Sequence, residues 1–323
     1  MSDLPKKVTL HEEGPREGFQ IEKNPVAFED KLRFIHALAE TGLKQIDCVS
    51  FVNPKRVPQM ADAEQVAAAI RRKPGVRYTG LWLNMAGLER AIRTQLDTIG
   101  SVRATVSNTF SIRNTNMSVA EAFADQRKWM AKYREIGCPV EWGYVMTAFG
   151  CNYEGDIAPS AVVERVRDVL DMAKEFDYRL KGVYLADTMG WGTPLSMQRV
   201  IGAVREQWPD LRLALHLHDT RGTGIANAYA ALQLGVDQFD TTVAGLGGCP
   251  FAAHAGAAGN ICTEDFAFMC EEMGIETGLD LEALIECAQM AEKIVGHKLP
   301  GKVKDGGSLR ALRARLKGQQ AAE

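Results

Sequence analysis

The sequence predicts a single α/β domain, a (β/α)8 barrel (TIM barrel) with a short helical C-terminal appendage. Eight short runs rich in apolar and β-branched residues alternate with longer stretches of helical periodicity. Crossovers between parallel strands are right-handed and short, so eight such units close most naturally into a ring. No Gly-rich phosphate turn follows the first run, which disfavours a doubly wound open sheet. The length of 323 residues suits one barrel of about 250 residues with an appendage better than two unrelated domains.

The strand and helix predictions follow the chain in strict alternation. The predicted strands are Val8–Glu13, Gln45–Phe51, Arg77–Leu83, Ser101–Ser107, Val140–Met146, Gly182–Asp187, Arg212–Asp219 and Gln238–Ala244. The clearest amphipathic helices between them are Phe28–Thr41, Asp62–Arg72, Val119–Ile136, Ser160–Phe176, Pro194–Gln207 and Gly224–Leu234. Pro159 and Pro194 open two helices, where a missing N–H costs nothing, and Gly42 and Gly137 follow two others as C′ glycines do.

The alternation stops after about Thr263. Thr263–Met273 and Leu279–Val295 have helical periodicity, and the Lys-, Arg- and Gly-rich tail from Lys298 is expected to be frayed. We therefore predict a barrel domain over residues 1–278 and a C-terminal helical extension and tail over residues 279–323.

Composition and charge exclude several classes of protein. Hydrophobic residues at 46% and charged residues at 24% are typical of a soluble globular protein, and a net charge of -3 with no basic stripe disfavours nucleic-acid binding. No apolar segment predicts a secretory signal or a membrane span. Seven scattered cysteines that never form a CxxC indicate reduced thiols in a cytoplasmic protein.

Charged and imidazole side chains follow or end several predicted strands, at the edge where a barrel carries its active site. They are Arg16 and Glu17 after strand one, Asp47 in strand two, Asp187 at the end of strand six, and His216 and His218 in strand seven. Burying such groups is costly unless they are paired or bind a metal. The pattern therefore indicates a polar site at one end of an otherwise apolar barrel.

The His216-x-His218 pair is the sharpest local signal. Alternate residues of a strand share a face and lie roughly 6.5 Å apart along it, so both imidazoles can hold one ion. A hydrogen-bonded pair of core histidines is the alternative, and for an isolated HxH it is the favoured one. Here apolar neighbours and acids on adjacent strands favour a metal. A nitrogen and oxygen donor set without thiolate indicates Mg²⁺, Mn²⁺ or a similar divalent metal ion.

Three other segments leave alternatives open. Arg16-Glu17 is either a solvated ion pair, or a metal-ligating carboxylate beside a guanidinium that stabilises an enolate or carboxylate. The Gly245–Pro250 segment is a strand-to-helix turn with a buried cysteine, a lid that carries the Cys249 thiol, or a phosphate cradle. Asn260 belongs either to a helix cap or to a turn that carries a metal ligand.

Several longer motifs carry a resemblance to a known family. They are Gly14–Gln20, Ser50–Lys55, Val57–Met60, Gly150–Gly155, Ala186–Gly190, His216–Thr220, and Val243–Pro250 followed by Gly259-Asn260. Together they resemble the DRE-TIM metallolyase superfamily, and within it the 3-hydroxy-3-methylglutaryl-CoA lyase branch, over nearly the whole chain from about Val8 to Gly278.

The resemblance implies a retro-Claisen cleavage of a small-molecule acyl-CoA to acetyl-CoA and a keto acid such as acetoacetate, with Mg²⁺ or Mn²⁺. It implies these roles: Glu17, His216, His218 and Asn260 as metal ligands, Arg16 stabilising the enolate, Asp47 orienting Arg16 or the ligands, Asp187 in proton transfer from the hydroxyl, and Cys249 protonating the departing carbanion. It also implies a homodimer, the common state in this superfamily.

The chain departs from the lyase pattern at three places. Glu17 stands where that pattern has Asp, and Asp47 stands where it has Glu; one side chain is longer and the other shorter, so the two changes could offset each other. Ser107-Asn108 replaces a Ser-Glu pair, and the stretch from Cys249 to Asn260 is longer and contains His254. These departures leave open a lyase for another 3-hydroxyacyl-CoA, a Claisen-type synthase, a metal aldolase or a non-catalytic acyl-CoA binder.

Overall fold

Eight parallel strands form the centre of the computed structural model, which describes residues 4–247 and 259–320. They are β1 Thr9–Glu12, β2 Gln45–Ser50, β3 Arg77–Leu81, β4 Gly100–Thr105, β5 Val140–Met146, β6 Gly182–Asp187, β7 Leu213–Leu217 and β8 Gln238–Thr241. Each overlaps a predicted strand and ends within a few residues of it, so the strand predictions are confirmed.

The helices surround this sheet. They are α1 Phe28–Glu40, α2 Ala63–Ala69, α3 Met85–Ala91, α4 Asn108–Thr115, α5 Val119–Glu135, α6 Pro159–Glu175, α7 Pro194–Gln207, α8 Gly224–Gln233, α9 Thr263–Glu272, α10 Leu281–Val295, α11 Val303–Gly306 and α12 Leu309–Gln320. Helices α3 and α4 were not predicted, because each is short and begins at a local cap. The Asn84 side chain accepts from the N–H of Gly87, and that of Ser107 accepts from the N–H of Phe110.

The strands are paired in the order β3-β2-β1-β8-β7-β6-β5-β4, which is the neighbour order of a (β/α)8 barrel. Within the described residues no backbone pairing joins β3 to β4. Side-chain hydrogen bonds bridge this gap instead. Arg103 on β4 donates from Nη1 to the carbonyl of Trp82, which directly follows β3, at 3.1 Å. The Trp82 side chain in turn donates from Nε1 to the hydroxyl of Tyr133 on α5 at 2.7 Å. We call this gap in the backbone pairing the β3–β4 seam.

Aromatic and polar side chains fill the N-terminal half of the barrel interior. Tyr184 stacks on Tyr144 with ring centroids 4.5 Å apart, and it accepts a hydrogen bond from Gln238 at 2.6 Å. Its hydroxyl lies 3.1 Å from Nδ1 of His11, whose pKa is lowered to about 4 by burial. Because this end is closed by packed side chains, a ligand site is confined to the C-terminal end of the strands.

The expectation of a frayed tail is wrong, because α11 and α12 follow Lys298. Backbone N–H groups of Lys302 and Val303 donate to the Asp265 carboxylate, and Arg313 forms two hydrogen bonds of 2.7 Å with Glu272. Leu, Ala, Arg, Lys and Gln, all strong helix formers, dominate α12. The domain boundary at residue 278 stays a prediction. No helix in the described part of the chain is long and apolar enough to cross a membrane.

Candidate metal centre and active site

A π-helical turn over Gly14–Gly18 follows β1 and carries the first two site residues. A β-carbon at Gly14 would lie 2.4 Å from Oε1 of Glu12, and one at Gly18 would lie 2.7 Å from the Leu246 side chain, so the turn needs glycine at both positions. π turns are rare and occur mainly at functional sites. This turn directs Arg16 and Glu17 across the mouth of the barrel.

Three side chains that could bind a metal ion, Glu17, His216 and His218, converge there. Oε1 of Glu17 lies 2.9 Å from Nε2 of His218 and 3.7 Å from Nε2 of His216, and the two Nε2 atoms are 3.2 Å apart. Adjacent donors around an octahedral ion at about 2.1 Å are about 3 Å from one another. The spacing of these three atoms therefore fits ligation of one divalent cation.

Asn260 completes the group. Its amide nitrogen lies 3.0 Å from Oε1 of Glu17, while its buried Oδ1 has no hydrogen-bond partner among the described residues. A buried acceptor without a donor costs free energy that a cation would recover. The structure thus brings together all four predicted metal ligands, of which Glu17 and Asn260 are 243 residues apart in the sequence.

Asp240 on β8 orients one imidazole, a contact that the sequence analysis missed. Its Oδ2 lies 3.2 Å from Nδ1 of His216, which directs Nε2 of that ring towards the ligand group. A carboxylate behind a metal-binding histidine fixes the ring and raises its basicity. The parallel register of β7 and β8 pairs His216 directly with Asp240. The sequence signal that could have revealed this contact was therefore an acid at the position of predicted strand eight that pairs with His216.

The electrostatics of the group require a positive charge. Burial alone would raise the pKa of Glu17, but His216 and Arg16 hold it well below its ordinary value. Burial alone would lower the pKa of His216, but the carboxylates of Glu17 and Asp240 raise it to about 10. A proton on His216 therefore supplies the charge that a divalent cation would otherwise bring, and the donor set fits such a cation.

Three carboxylates hold the guanidinium of Arg16. Nε donates to Oδ2 of Asp47 and Nη1 donates to Oε2 of Glu17, both at 2.8 Å, and Nη2 donates to Oε2 of Glu13. Burial alone would lower the pKa of Arg16, but these three carboxylates hold it well above its ordinary value. Two of the five N–H donors of a guanidinium stay outside these bonds within the described residues, so they are available to a ligand.

Glu13 is the second residue that the sequence analysis missed at this site. Burial raises its pKa well above the ordinary value, and the bond to Arg16 is its compensation. Asp47, by contrast, occupies the predicted place, where its Oδ1 accepts from the hydroxyl of Thr79 at 3.2 Å. The predicted contact between Asp47 and Arg16 is therefore present.

Asp187 ends β6 as a fully buried carboxylate. Oδ1 accepts the N–H of Trp191 and Oδ2 accepts the N–H of Gly192, each at 2.8 Å. Burial raises its pKa, and the field of His218 acts on it in the opposite direction. Asp187 is thus a rigidly held carboxylate that interacts electrostatically with His218 of the ligand group. Cys249 and His254, by contrast, lie outside the described residues.

These features define a class: a (β/α)8 barrel with a divalent-metal donor set, an anchored arginine and a buried carboxylate at its C-terminal mouth. A family model described as HMGL-like matches residues 7–291. The chain belongs to this HMGL-like family.

The chain is similar to proteins named as lyases over most of its length. It is 40% identical over 303 residues to the mitochondrial hydroxymethylglutaryl-CoA lyase of Mus musculus, covering 94% of this chain and 90% of the relative. It is 40% identical over 294 residues to the 3-hydroxy-3-isohexenylglutaryl-CoA/hydroxymethylglutaryl-CoA lyase of Pseudomonas aeruginosa, covering 91% and 95%. The solved HMG-CoA lyase of Acinetobacter baumannii, in complex with coenzyme A and 3-methylmalate, matches with a TM-score of 0.85 and 35% identity over 95% of this chain and 97% of that one.

Proposed function

We propose that this protein is a metal-dependent lyase that cleaves 3-hydroxy-3-methylglutaryl-CoA to acetyl-CoA and acetoacetate. The observation that carries the proposal is the convergence of Glu17, His216 and His218 beside Arg16, in a chain whose relatives are named for this cleavage. In the reaction the bond between C2 and C3 breaks, the C3 hydroxyl loses a proton, and C2 gains one, so that the two products together contain every atom of the substrate.

A divalent cation bound by Glu17, His216, His218 and Asn260 would polarise the substrate oxygens and lower the pKa of the C3 hydroxyl. Arg16 would stabilise the negative charge that develops on the thioester oxygen when the C2–C3 bond breaks. Its guanidinium needs no reorganisation for this, because three carboxylates already fix its plane. Preorganised charge of this kind is a large contribution to catalysis.

Asp187 would accept the proton of the C3 hydroxyl. Burial raises the pKa of its carboxyl, which makes the carboxylate a stronger base than an ordinary aspartate. The two backbone N–H donors, from Trp191 and Gly192, favour the ionised form over the neutral one and hold the carboxylate in one orientation. An Asp187→Asn substitution would keep the shape and remove the base, which separates the chemical role from the packing role.

Cys249 would return a proton to C2 of the departing acetyl group. Gly247, two residues before Cys249 in the chain, lies beside the π turn. A β-carbon on Gly247 would lie 3.7 Å from Cγ of Glu17. We expect Cys249→Ser to slow turnover while metal stays bound; an unchanged rate would show that the thiol has no part in the chemistry.

The direct test is acetyl-CoA release from 3-hydroxy-3-methylglutaryl-CoA with Mg²⁺ or Mn²⁺ and with an EDTA control. Metal-dependent release supports the proposal, and the relative rates identify the preferred ion. Protein that binds metal yet releases nothing would contradict it. A requirement for acetyl-CoA plus a keto acid would identify a synthase instead, and metal binding without turnover of any acyl-CoA would identify a binder.

A second candidate is a lyase for a differently substituted 3-hydroxyglutaryl-CoA. It is favoured by the Pseudomonas aeruginosa relative, whose name includes an isohexenyl substrate, and by the departures at Ser107-Asn108 and between Cys249 and Asn260. Parallel assays with both acyl groups distinguish the two. A cytoplasmic location and a homodimer also belong to the proposal; light scattering on the purified protein tests the second.

A further inference from the structure

A short segment of the C-terminal extension joins α10 to α11, and we call its residues 299–303 the C-terminal strap. Acids of the neighbouring helices anchor both of its ends. The N–H of Leu299 donates to Oε2 of Glu292 on α10 at 3.1 Å, and the N–H of Val303 donates to Oδ1 of Asp265 on α9 at 2.7 Å. These two bonds fix the path of the strap, so its middle residues are held in place.

The middle of the strap contacts the turn that follows β8, residues 242–247, which we call the β8 turn. The N–H of Gly301 donates to the carbonyl of Ala244 at 3.0 Å. A β-carbon at Gly301 would lie 3.1 Å from Cα of Ala244. A β-carbon at Gly245 would lie 2.8 Å from Cγ of Pro300. The strap and the β8 turn therefore pack directly against each other, although one belongs to the C-terminal extension and the other to the barrel.

The contact holds Ala244 in a strained backbone conformation. Ala244 lies in the left-handed region, with φ 60° and ψ 7°, which residues with a β-carbon rarely adopt. Two hydrogen bonds keep it there: its N–H donates to Oε2 of Glu264 at 2.9 Å, and its carbonyl accepts from Gly301. Strain of this kind persists where the surroundings over-determine the backbone, and it is frequent at functional sites. The strap thus stabilises a conformation of the β8 turn that costs free energy.

The β8 turn supports the π turn that carries Glu17. Leu246 is fully buried, and a β-carbon at Gly14 would lie 3.4 Å from its Cδ1. Glu12 joins the two turns, because its Oε1 accepts the N–H groups of Gly14 and Val243, both at 2.9 Å. A displacement of the β8 turn is therefore transmitted to the turn that places Glu17 at the metal centre.

We propose that the C-terminal strap positions the metal centre, and that Gly301 is the positioning residue through which it acts. Gly301 fixes Ala244, the β8 turn fixes the π turn, and the π turn fixes Glu17. The inference rests on the metal site of the proposed function, and it is independent of the substrate and the reaction. Loss of a group that orients a metal ligand costs about 10- to 100-fold in metal affinity, so the strap should affect the binding of the cation even without substrate.

The test measures the Kd of Mn²⁺ by calorimetry, without substrate, in wild type and in Gly301→Ala. The new β-carbon would lie 2.6 Å from Oε1 of Glu264 and 3.0 Å from Sγ of Cys262, both buried, so the strap has to move. We expect the Kd to rise at least tenfold. The matched control is Gly306→Ala on α11, where a β-carbon meets no atom of the described residues within 4 Å, and the Kd should stay at the wild-type value.

Rescue separates positioning from a general loss of stability. Glycine adopts the left-handed conformation without a steric penalty, so adding Ala244→Gly to Gly301→Ala should recover most of the lost affinity. Pro300→Gly is a second variant at an exposed position; it removes the ring that contacts Gly245 and should also raise the Kd.

Melting in EDTA shows which variant decides. In Gly301→Ala protein that melts like the Gly306→Ala control, an unchanged Kd overturns the proposal, as does a raised Kd that Ala244→Gly fails to lower. If Gly301→Ala melts below the control, Pro300→Gly decides, and an unchanged Kd in that variant overturns the proposal. A Kd that depends on the strap in a protein that cleaves no acyl-CoA would support the strap and overturn only the lyase function.

Discussion

The two carboxylates that bind opposite edges of the Arg16 guanidinium should be coupled. Nη1 of Arg16 contacts Glu17 and Nε contacts Asp47, both at 2.8 Å. Glu17→Asp withdraws the carboxylate by about 1.5 Å. That opens both the contact with Arg16 and the 2.9 Å approach to His218, which is far beyond the tolerance of about 0.2 Å for a metal ligand. Asp47→Glu pushes the guanidinium by a similar distance towards the position that Glu17 vacates.

Each single change should lower kcat/KM about 100-fold, the cost of a displacement of about 1 Å at a catalytic group. The double variant Glu17→Asp, Asp47→Glu should lose less than about 1000-fold, because the longer side chain moves Arg16 towards the shorter one while the approach of residue 17 to His218 stays lengthened. The corresponding coupling free energy is at least about 1.4 kcal/mol in a double-mutant cycle. The assay is kcat/KM together with metal affinity by calorimetry for all four proteins. Losses that multiply, so that the double variant falls about 10⁴-fold, would refute a coupling through Arg16.

Three further outcomes follow from the site and its surroundings. His218→Ala should abolish activity and metal uptake, because its Nε2 lies within 3.2 Å of both other donors; full metal occupancy by elemental analysis would contradict the ligand assignment. Metal binding at pH 8 should release close to one proton, because the pKa of His216 is about 10 without metal and an imidazole that binds a metal must be neutral. Calorimetry in buffers of different ionisation enthalpy measures the number of protons released. Zero release would exclude His216 as a metal ligand. Burial raises the pKa of Glu12 from 4.5 to about 8, so between these two pH values the folded protein retains a proton that the unfolded chain has released. The free energy of unfolding of the wild type therefore falls as the pH rises from about 4.5 to about 8. The free energy of unfolding of Glu12→Gln, measured relative to wild type in denaturant titrations, should therefore rise by about 2–5 kcal/mol between pH 5 and pH 9. A difference between the two proteins that stays constant with pH would show that Glu12 does not titrate in this range.

Hydrophobic periodicity was sufficient to predict the barrel, because the strands are largely buried and each of the helices between them has buried residues on one face. The β3–β4 seam was beyond prediction, since the pattern of β4 does not indicate whether its neighbour is bonded through the backbone or through Arg103. The helix α12 was missed for a related reason. Its basic composition resembles a frayed tail, and what orders it is the pairing of Arg313 with Glu272, forty-one residues away in the chain.

The site was predictable where local spacing carries the geometry. His216 and His218 share a strand face, and Arg16 and Glu17 follow a strand end, so both pairs were identified from the residues alone. Asp240 and Glu13 lie in segments that read as ordinary strand. Their roles come from the register of neighbouring strands and from a π turn; the acid at the position of strand eight that pairs with His216 was a signal only for Asp240, and it needs the register to be recognised.

The balance of charge is the physical reason for assigning a metal to this fold. Five acids surround the mouth of the barrel, of which Glu17 is half-buried and the other four are buried: Glu13, Glu17, Asp47, Asp187 and Asp240. Arg16, which contacts Glu13, Glu17 and Asp47, is the one permanent cation in contact with any of these acids among the described residues, and the raised pKa of His216 indicates that the remaining field attracts a proton. Buried charge of one sign is costly, and a chain that needed only stability would be better served by apolar residues. A divalent cation would offset that cost: Glu17 would bind it directly, and the other four acids would stabilise it through the negative potential that they create at the mouth of the barrel.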